Sequence, residues 1–194
     1  MSYHPRMDGI AWASSAMIAA RTRLEIATQN LANVSTDGYR RIAARGFITA
    51  LGVAIARQPS REHGGLRRTG RDLDFAIVGD GSFRLRDGAG RLALTRNGAF
   101  VRAGDGTLRD AGGRTLQGSH GAIRVAPGGR VDARELALPP GSRLQSGFLE
   151  TAGVDAIAEM VDVLAAERSF ESAQKAVAAI DSSRQKSAEA ARVK

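Results

Sequence analysis

The sequence predicts an α+β protein: long N- and C-terminal helices paired as a coiled coil, with a small antiparallel β domain inserted between them. Glycine supports this division, because residues 10–37 and 154–194 contain none of the 23 glycines, whereas glycine recurs every few residues from Gly64 to Gly153. Apolar residues follow helical spacing at both ends and strand-like alternation in the middle. We therefore expect four segments: an N-terminal helix and motif (1–39), a basic linker (40–71), the β domain (72–149) and the C-terminal helix (150–194).

The first helix is predicted from apolar residues that recur at alternating steps of three and four. Alanine occupies every second position of this seam except the last, so a partner helix can approach closely. The seam comprises Ile10, Ala13, Met17, Ala20, Leu24, Ala27, Leu31 and Val34. Ser35, Thr36 and Asp37 then favour local side-chain hydrogen bonds, and Gly38 readily adopts the left-handed conformation that ends a helix. The first helix should end there.

The second helix is predicted from a similar seam, which Ile157, Met160, Val161 and Leu164 broaden at its N-terminal part. Its members are Val163, Ala166, Phe170, Ala173, Val177 and Ile180. A helix from Ala152 to Ala188 would be about 55 Å long. Burying a large seam residue contributes ~1.5–3 kcal/mol, whereas ordering each backbone residue costs ~1–2 kcal/mol. One stripe therefore cannot hold such a helix alone, and the partners we expect are the other terminal helix and neighbouring chains. The alternative is that both helices pack on the chain's own sheet.

The middle of the chain is predicted to form short antiparallel strands. Apolar residues alternate in three stretches, and turn signals such as Asp87-Gly88, Asn97-Gly98 and Asp105-Gly106 separate them. The alternating residues are Leu73, Phe75 and Ile77, then Phe83 and Leu85, then Leu92 and Leu94. The rest of the interior is expected from Leu108, Leu116, Ile123, Val125, Leu136 and Leu138.

Charge and hydropathy favour a protein that binds neither nucleic acid nor membrane. The net charge is +8, and most of it lies in residues 40–71, which contain eight arginines and a single acidic residue, Glu62. Such a cluster can bind phosphates, but it is more often solvated or directed at an acidic partner. No apolar run approaches the roughly 18 residues of a membrane span. The stretch "IAWASSAMIAA" has the length of a signal-peptide core, but Asp8 and the uninterrupted seam beyond Arg21 argue against cleavage.

The residues that usually carry catalysis are sparse. The absence of cysteine excludes disulfides, thiolate catalysis and Cys-based zinc sites. The three histidines, His4, His63 and His120, lack the spacing of metal ligands. Asp72 and Asp74 would share one face of a strand entrance, but nothing distinguishes them from ordinary solvated carboxylates. We predict no enzyme activity, cofactor or metal.

One segment carries a family resemblance. The stretch "ATQNLANVSTDGY" resembles the N-terminal motif of the bacterial flagellar axial proteins of rod and hook, in which A-x-x-N-L-A-N precedes a Thr, a Gly and an aromatic residue. The matching residues are Ala27, Asn30, Leu31, Ala32, Asn33, Thr36, Gly38 and Tyr39. "LDFAIVGDGSFRL", "LTRNGAFVRAGDGTLRDAGGRTLQG" and "SGFLETAGVDAIAEMVDVLAAERSFESAQKAVAAID" are similar to the β domain and C-terminal helix of rod proteins. Together these stretches cover more than half the chain, in the family's order.

The resemblance implies a structural subunit of the basal-body rod, the periplasm-spanning drive shaft between motor and hook. Paired terminal helices would line a tube, and a β domain would lie outside. Partners would be copies of the chain, other rod proteins, hook-side rod or ring proteins, and the flagellar type III export apparatus, which takes subunits without a cleaved signal. Arg40, Arg41, Arg67 and Arg68 are expected to contact acidic faces of adjacent subunits.

Two departures from the family bear on its subtype. The segment 121–143 is shorter than the corresponding segment of longer family members, which carries additional β structure. The basic linker also lacks a longer insertion. Both departures favour the proximal-rod type with a small β domain. A second hypothesis is a soluble periplasmic binding protein with a glycan-recognising β domain and helical dimerisation.

Overall fold

The computed structural model describes residues 9–50 and 52–192, and within them it confirms the α+β class: an N-terminal helix, a series of β strands and a C-terminal helix. The outermost residues of the first and last predicted segments lie outside this range. The described chain forms two compact units. The helix–hairpin unit comprises residues 9–32, 42–60 and 155–192, and the β unit comprises residues 33–41 and 61–154.

Two long helices dominate the helix–hairpin unit. Helix α1 spans Gly9–Ala32, and helix α2 spans Ala156–Arg192. The 37 residues of α2 correspond to a length of about 55 Å. Helix α2 begins later than the expected Ala152. Asp155 caps its N-terminus, because the Asp155 Oδ1 accepts hydrogen bonds from the N–H groups of Ile157 (2.9 Å) and Ala158 (3.2 Å). Among the described residues, no helix is both long and apolar enough to cross a membrane.

Helix α1 ends earlier than the sequence predicts. Its last residue is Ala32, so Val34 lies in the turn that follows and not on the helix. This turn is held by Asn33 and Thr36: the Thr36 N–H donates to the Asn33 carbonyl (3.0 Å), and the Thr36 hydroxyl donates to Asn33 Oδ1 (3.2 Å). Gly38 is left-handed as expected, with φ of 69°, but it shapes the loop beyond this turn and does not end the helix.

The segment expected to be a basic linker contains a β hairpin. Strand β1 (Ile42–Thr49) pairs antiparallel with β2 (Gly52–Pro59), and the hairpin lies against α1. At its tip, Ser15 Oγ accepts a hydrogen bond from the Val53 N–H (3.1 Å). Gly52 has φ of 124°, and a Cβ there would overlap the Ser15 side chain, so this contact needs glycine.

Ten short strands and one 3₁₀ turn, Ala133–Leu136, form the β unit. The strands are β3 (Leu66–Arg68), β4 (Phe75–Val78), β5 (Phe83–Arg86), β6 (Leu92–Thr95), β7 (Val101–Arg102), β8 (Leu108–Arg109), β9 (Thr115–Gly118), β10 (Gly121–Ala122), β11 (Arg143–Ser146) and β12 (Phe148–Glu150). The largest sheet has the order β6-β5-β9-β8-β7, with β10 added to β9, and two further pairs are β11 with β4 and β12 with β3.

The core of the β unit contains most of the residues that the alternation predicts. Phe100, which is not among the predicted interior residues, also lies in the core and packs edge-on against Phe83 with ring centroids 5.3 Å apart. The buried core comprises Phe75, Ile77, Phe83, Leu85, Phe100, Leu108, Leu116, Ile123, Val125 and Leu136. Leu73 and Leu138 pack against this core while partly buried.

The expectation that Leu92 and Leu94 join this interior is wrong, because they are 61% and 71% exposed. Antiparallel pairing explains the difference. Leu94 lies opposite Arg84, and Ala93 lies opposite the buried Leu85. Directly opposed residues share a face of the sheet, so Ala93 faces inward and the two leucines lie on the outer face.

The predicted turns at Asp87, Asn97 and Asp105 are confirmed by side-chain hydrogen bonds to the backbone. Each side chain accepts from the N–H two residues later, at 2.9–3.0 Å. At Asp105, hydrogen bonds from the Thr107 hydroxyl and N–H lower the pKa of the carboxyl group to about 2.

A buried ion pair ties several segments of the β unit together. Arg96 and Glu150 are 2% and 3% exposed, and Arg96 Nε donates to Glu150 Oε2 at 2.6 Å. The remaining guanidinium nitrogens donate to the carbonyls of Ile77, Gly79 and Gly81 at 2.8–2.9 Å. Because these bonds satisfy the guanidinium group, the charge of Arg96 is tolerated inside the unit.

We predict that Arg96→Ala lowers the free energy of unfolding of the β unit by about 3–5 kcal/mol, because Glu150 is left buried without its counter-charge. Urea unfolding measures this change. The matched control is Arg91→Ala: Arg91 forms an exposed pair with Asp87, and such a pair contributes little to stability. Equal effects of the two substitutions would contradict the prediction.

Candidate functional site: the helix pair and the motif loop

The helices α1 and α2 pack antiparallel within the helix–hairpin unit. Near one end, Asn30 of α1 hydrogen-bonds to Glu159 of α2. Near the other end, a Cβ built on Gly9 would lie 3.5 Å from Ile180 Cδ1. The same number of residues separates Gly9 from Asn30 as separates Glu159 from Ile180, so the two helices stay in step along this length.

The residues predicted for the seam of α2 all lie on its covered side. Ala166 and Ala173 are buried, and Val163, Phe170, Val177 and Ile180 are half-buried. Glu159 is also buried and precedes Ala166 by one heptad. Glu159 is not part of the predicted seam, because a carboxylate at a core position contradicts the apolar pattern on which the prediction depends.

The covered side of α1 is wider than its predicted seam. Ala20 and Ala27 are buried, whereas Ile10, Ala13, Met17, Leu24 and Leu31 are half-buried. Ala19, Ile26 and Asn30 are buried although they lie outside the predicted seam. The hairpin explains them, since α1 contacts both α2 and the strands β1 and β2.

Asn30 joins three elements of the helix–hairpin unit. Its Nδ2 donates to the Ile42 carbonyl at 2.8 Å and to Glu159 Oε2 at 3.1 Å, and the Ile42 N–H donates to its Oδ1 at 2.9 Å. The amide thus exchanges both hydrogen bonds with one residue of β1, as a neighbouring strand would. Asn30 is fully buried and Glu159 is 1% exposed, so neither can exchange these partners for water.

The end of the motif lies in the β unit, where residues 33–41 form a loop against β12. The Gly38 N–H donates to the Glu150 carbonyl at 2.6 Å, and the Gly153 N–H donates to the Tyr39 carbonyl at 3.1 Å. A Cβ on Gly38 would overlap the backbone of Asn97. Close packing and left-handed φ therefore both require glycine at position 38.

Several of the clustered arginines contact acidic groups of their own unit. Arg67 reaches both oxygens of Asp37 at 2.9 and 2.7 Å and holds the motif loop to β3. Arg57 donates to Glu25 at 2.8 Å and joins the hairpin to α1. Arg68 of β3 is exposed, and Arg40 and Arg41 are half-buried in the motif loop.

The four residues expected to broaden the seam of α2 are exposed instead. Ile157, Met160, Val161 and Leu164 are 75%, 52%, 59% and 55% exposed. Their spacing places them together on one face of the first turns of α2, and the seam residues lie on another. Such a contiguous apolar face is typical of a surface that contacts another molecule.

Among residues 9–50 and 52–192, no group of three or more His, Asp or Glu side chains is arranged to hold a metal ion. His63 lies with Nδ1 3.4 Å from Glu150 Oε1, His120 and Asp72 are exposed, and Asp74 is buried. His4 lies outside the described residues.

We predict that Asn30→Ala destabilises the helix–hairpin unit by about 3 kcal/mol, because Glu159 and both backbone groups of Ile42 lose a buried hydrogen-bond partner. Thermal unfolding followed by helical circular dichroism measures the effect. Thr28→Ala is the control, since Thr28 is an exposed residue of the same helix. A similar small change in both variants would contradict the assigned role of Asn30.

Three family models match the chain in order. "Flagella basal body rod protein" matches residues 10–40, "Flagellar hook protein FlgE/F/G D1 domain" matches 76–145, and "Flagellar basal body rod FlgEFG protein C-terminal" matches 145–190. The first match contains the whole motif, the second most of the β unit, and the third the seam of α2.

Relatives among known proteins agree with these matches. The chain is 26% identical to the flagellar basal-body rod protein FlgG of Agrobacterium fabrum, over 90% of this chain and 96% of that protein. It is 29% identical to FlgF of Mesorhizobium japonicum, over 84% and 89%. It is 36% identical to FlgF of Rhizobium meliloti, over 62% of this chain and 56% of that protein. The motif, the β unit and the helix pair thus identify the chain as a member of the flagellar rod and hook protein family.

Proposed function

We propose that this chain is a structural subunit of the flagellar basal-body rod, where it assembles helically into the drive shaft that transmits torque for motility. The observation that carries the proposal is the antiparallel pair of terminal helices, which leaves an apolar face of α2 exposed in a single copy. Similarity to FlgG and FlgF along most of the chain supports the same role. The family is structural, so the chain is not an enzyme.

Within the subunit, the helix pair acts as a coiled coil. The residues that form its interface are the two predicted seams, from Ile10 to Leu31 on α1 and from Val163 to Ile180 on α2. Ala20 and Ala27 of α1 and Ala166 and Ala173 of α2 are buried, and small side chains at these seam positions support close approach of the helices. Asn30 and Glu159 add a polar contact, which in coiled coils specifies register at some expense of stability.

The predicted segments then have separate roles. Residues 1–39 and 150–194 supply the helices and the motif, and residues 72–149 supply the β domain. Residues 40–71, with the hairpin at their centre, connect the two. The motif from Asn30 to Tyr39 turns the chain from helix into this connecting segment.

The partners are copies of this chain and other rod proteins, with hook-side rod or ring proteins at the ends of the shaft. The chain reaches the basal body through the flagellar type III export apparatus without a cleaved signal peptide. Burial of Ala19 and Ala20 supports a structural role for the stretch that resembles a signal-peptide core, because it contributes to the packed face of α1. We assign the chain to the proximal-rod type with a small β domain.

The comparisons give no support to the second hypothesis, a soluble periplasmic binding protein that recognises glycans. The family models that match are flagellar along both the helices and the β unit.

Deleting the gene and examining isolated basal bodies by electron microscopy tests the proposed function. We expect cells without the gene to lose swimming and their basal bodies to lack an intact rod, because a missing shaft subunit interrupts the assembly. A plasmid copy of the gene should restore both. Intact rods and unchanged swimming in the deletion strain would refute the function.

We predict that Arg68→Glu reduces motility by weakening a contact with an acidic face of an adjacent subunit, while the β unit stays folded. Swimming in soft agar and thermal unfolding of the purified variant measure the two effects. Arg67→Glu should reduce motility and also lower the melting temperature, because Arg67 holds Asp37 in the same chain. Unchanged swimming of the Arg68 variant would contradict a role of Arg68 in subunit contact.

A further inference from the structure

We propose that the β unit binds an extended segment of another protein, in which glutamate alternates with small apolar residues. The segment adds as a further strand to the open edge of β6, and its carboxylates contact Arg84 and Arg86. The inference goes beyond the proposed function and does not depend on it, because binding to the purified chain tests it directly.

The two edges of the largest sheet differ in how they are covered. At the β7 edge, the segment before β4 lies alongside: the Phe100 N–H donates to the Leu73 carbonyl at 3.2 Å, and Asp74 forms a bridge to Ala99. Arg71 Nη2 also donates to the Phe100 carbonyl at 3.4 Å. Strand β6 forms the opposite edge, and no described strand pairs with its outer side. An open edge of this kind is a template for an incoming strand.

The backbone of β6 directs unused hydrogen-bonding groups outward. Residue pairs of an antiparallel ladder alternate between those that exchange hydrogen bonds and those that do not. The Asp87 N–H donates to the Arg91 carbonyl at 3.1 Å, so Ala93 bonds to β5, whereas the N–H and carbonyl groups of Leu92 and Leu94 point away from it. Within the described part of the chain, no other group hydrogen-bonds to these two leucines.

The outer face next to this edge combines apolar side chains with unneutralised positive charge. Leu92 and Leu94 are 61% and 71% exposed, and they lie opposite Arg86 and Arg84 of β5. Both arginines are exposed, and neither forms an ion pair with a described residue. An arginine stem can lie along apolar surface while its guanidinium group stays free to bind an anion.

Acidic residues of the chain itself leave these two charges free. The Asp87 carboxylate binds Arg91 Nε at 2.8 Å, and the Asp105 carboxylate binds Arg109 Nη2 at 3.1 Å. Hydrogen bonds from Arg91 hold the pKa of Asp87 below its usual range, and those from Thr107 lower the pKa of Asp105 to about 2. Both carboxylates are therefore ionised and already engaged by other arginines.

These features determine the chemistry of the incoming strand. Its side chains on the outer face lie beside Leu92 and Leu94 and within reach of Arg84 and Arg86, so each needs an apolar stem and a terminal carboxylate, which glutamate provides. Its side chains on the inner face lie beside Ala93, which is half-buried at the margin of the core, so small apolar residues fit there. Successive side chains of a strand point to opposite faces, and the two requirements therefore alternate along the segment.

Binding of two short peptides to the purified full-length chain tests the inference. The probes are a fluorescein-labelled hexapeptide of alternating Glu and Val and its twin of alternating Lys and Val, measured by fluorescence anisotropy. The wild-type chain should bind the Glu peptide and bind the Lys peptide at least roughly tenfold more weakly. In the double variant Arg84→Glu with Arg86→Glu, this preference should reverse, because the charges on the sheet are reversed.

Leu94→Pro tests whether the backbone of β6 takes part. Proline removes the outward N–H of residue 94 and is tolerated on an edge strand where the N–H faces solvent. It should weaken binding of the Glu peptide by roughly tenfold, the effect of losing a hydrogen bond together with its neighbours. Leu94→Ala is the matched control, since it shortens the same side chain, keeps the N–H and should weaken binding less. Thermal unfolding shows whether each variant is folded.

Each alternative result overturns the inference. A wild-type chain that binds neither peptide, or both equally, excludes the proposed recognition. Equal binding by the Pro and Ala variants shows that the backbone edge is not used, even if the arginine variant loses the Glu peptide, and the face is then a general anion-binding surface only. If Leu94→Pro does not fold, amide hydrogen exchange decides: binding of the Glu peptide should slow exchange of the Leu92 and Leu94 N–H groups, and unchanged exchange refutes strand addition.

Discussion

The helix–hairpin unit depends on one buried amide, that of Asn30. Its hydrogen bonds to Ile42 hold the start of the hairpin against α1, and its hydrogen bond to Glu159 holds α2 against α1. Apolar seams alone would let two helices slide by a turn at small expense, since alanines repeat along both. The hydrogen bond between Asn30 and Glu159 forms at only one offset of the two helices, and any other offset removes this buried polar contact.

The motif distributes this control over both units. Asn30 acts within the helix–hairpin unit, and Gly38 acts within the β unit, where its backbone packs against Asn97 and binds Glu150. Glu150 in turn holds Arg96, which gathers three carbonyls of the β unit. The short motif therefore contributes one specific contact to the helix–hairpin unit, through Asn30, and one to the β unit, through Gly38.

Much of the fold can be predicted from the sequence because the spacing of apolar residues indicates which side of a helix or strand is buried. Heptad spacing predicts the covered side of α2, and alternation predicts Phe75, Ile77, Phe83 and Leu85 in the core. The errors occur where tertiary partners decide. Leu92 and Leu94 fit the alternation but face outward because the register of β6 with β5 places Ala93 opposite the buried Leu85. The hairpin is missed because its turn lacks the usual Asn-Gly or Asp-Gly signal. The buried role of Glu159 depends on Asn30, a residue distant in sequence.

The C-terminal part of α2 behaves differently from the rest of that helix. Beyond Ile180, residues 181–191 are exposed and consist largely of Ala and Ser, and they extend over about 16 Å of helix. A helical stretch held mainly by its own backbone hydrogen bonds opens at low free energy. Melting of α2 should therefore begin at its far end and stop at Ile180, so that this end can lose and regain order without disturbing the packed seam.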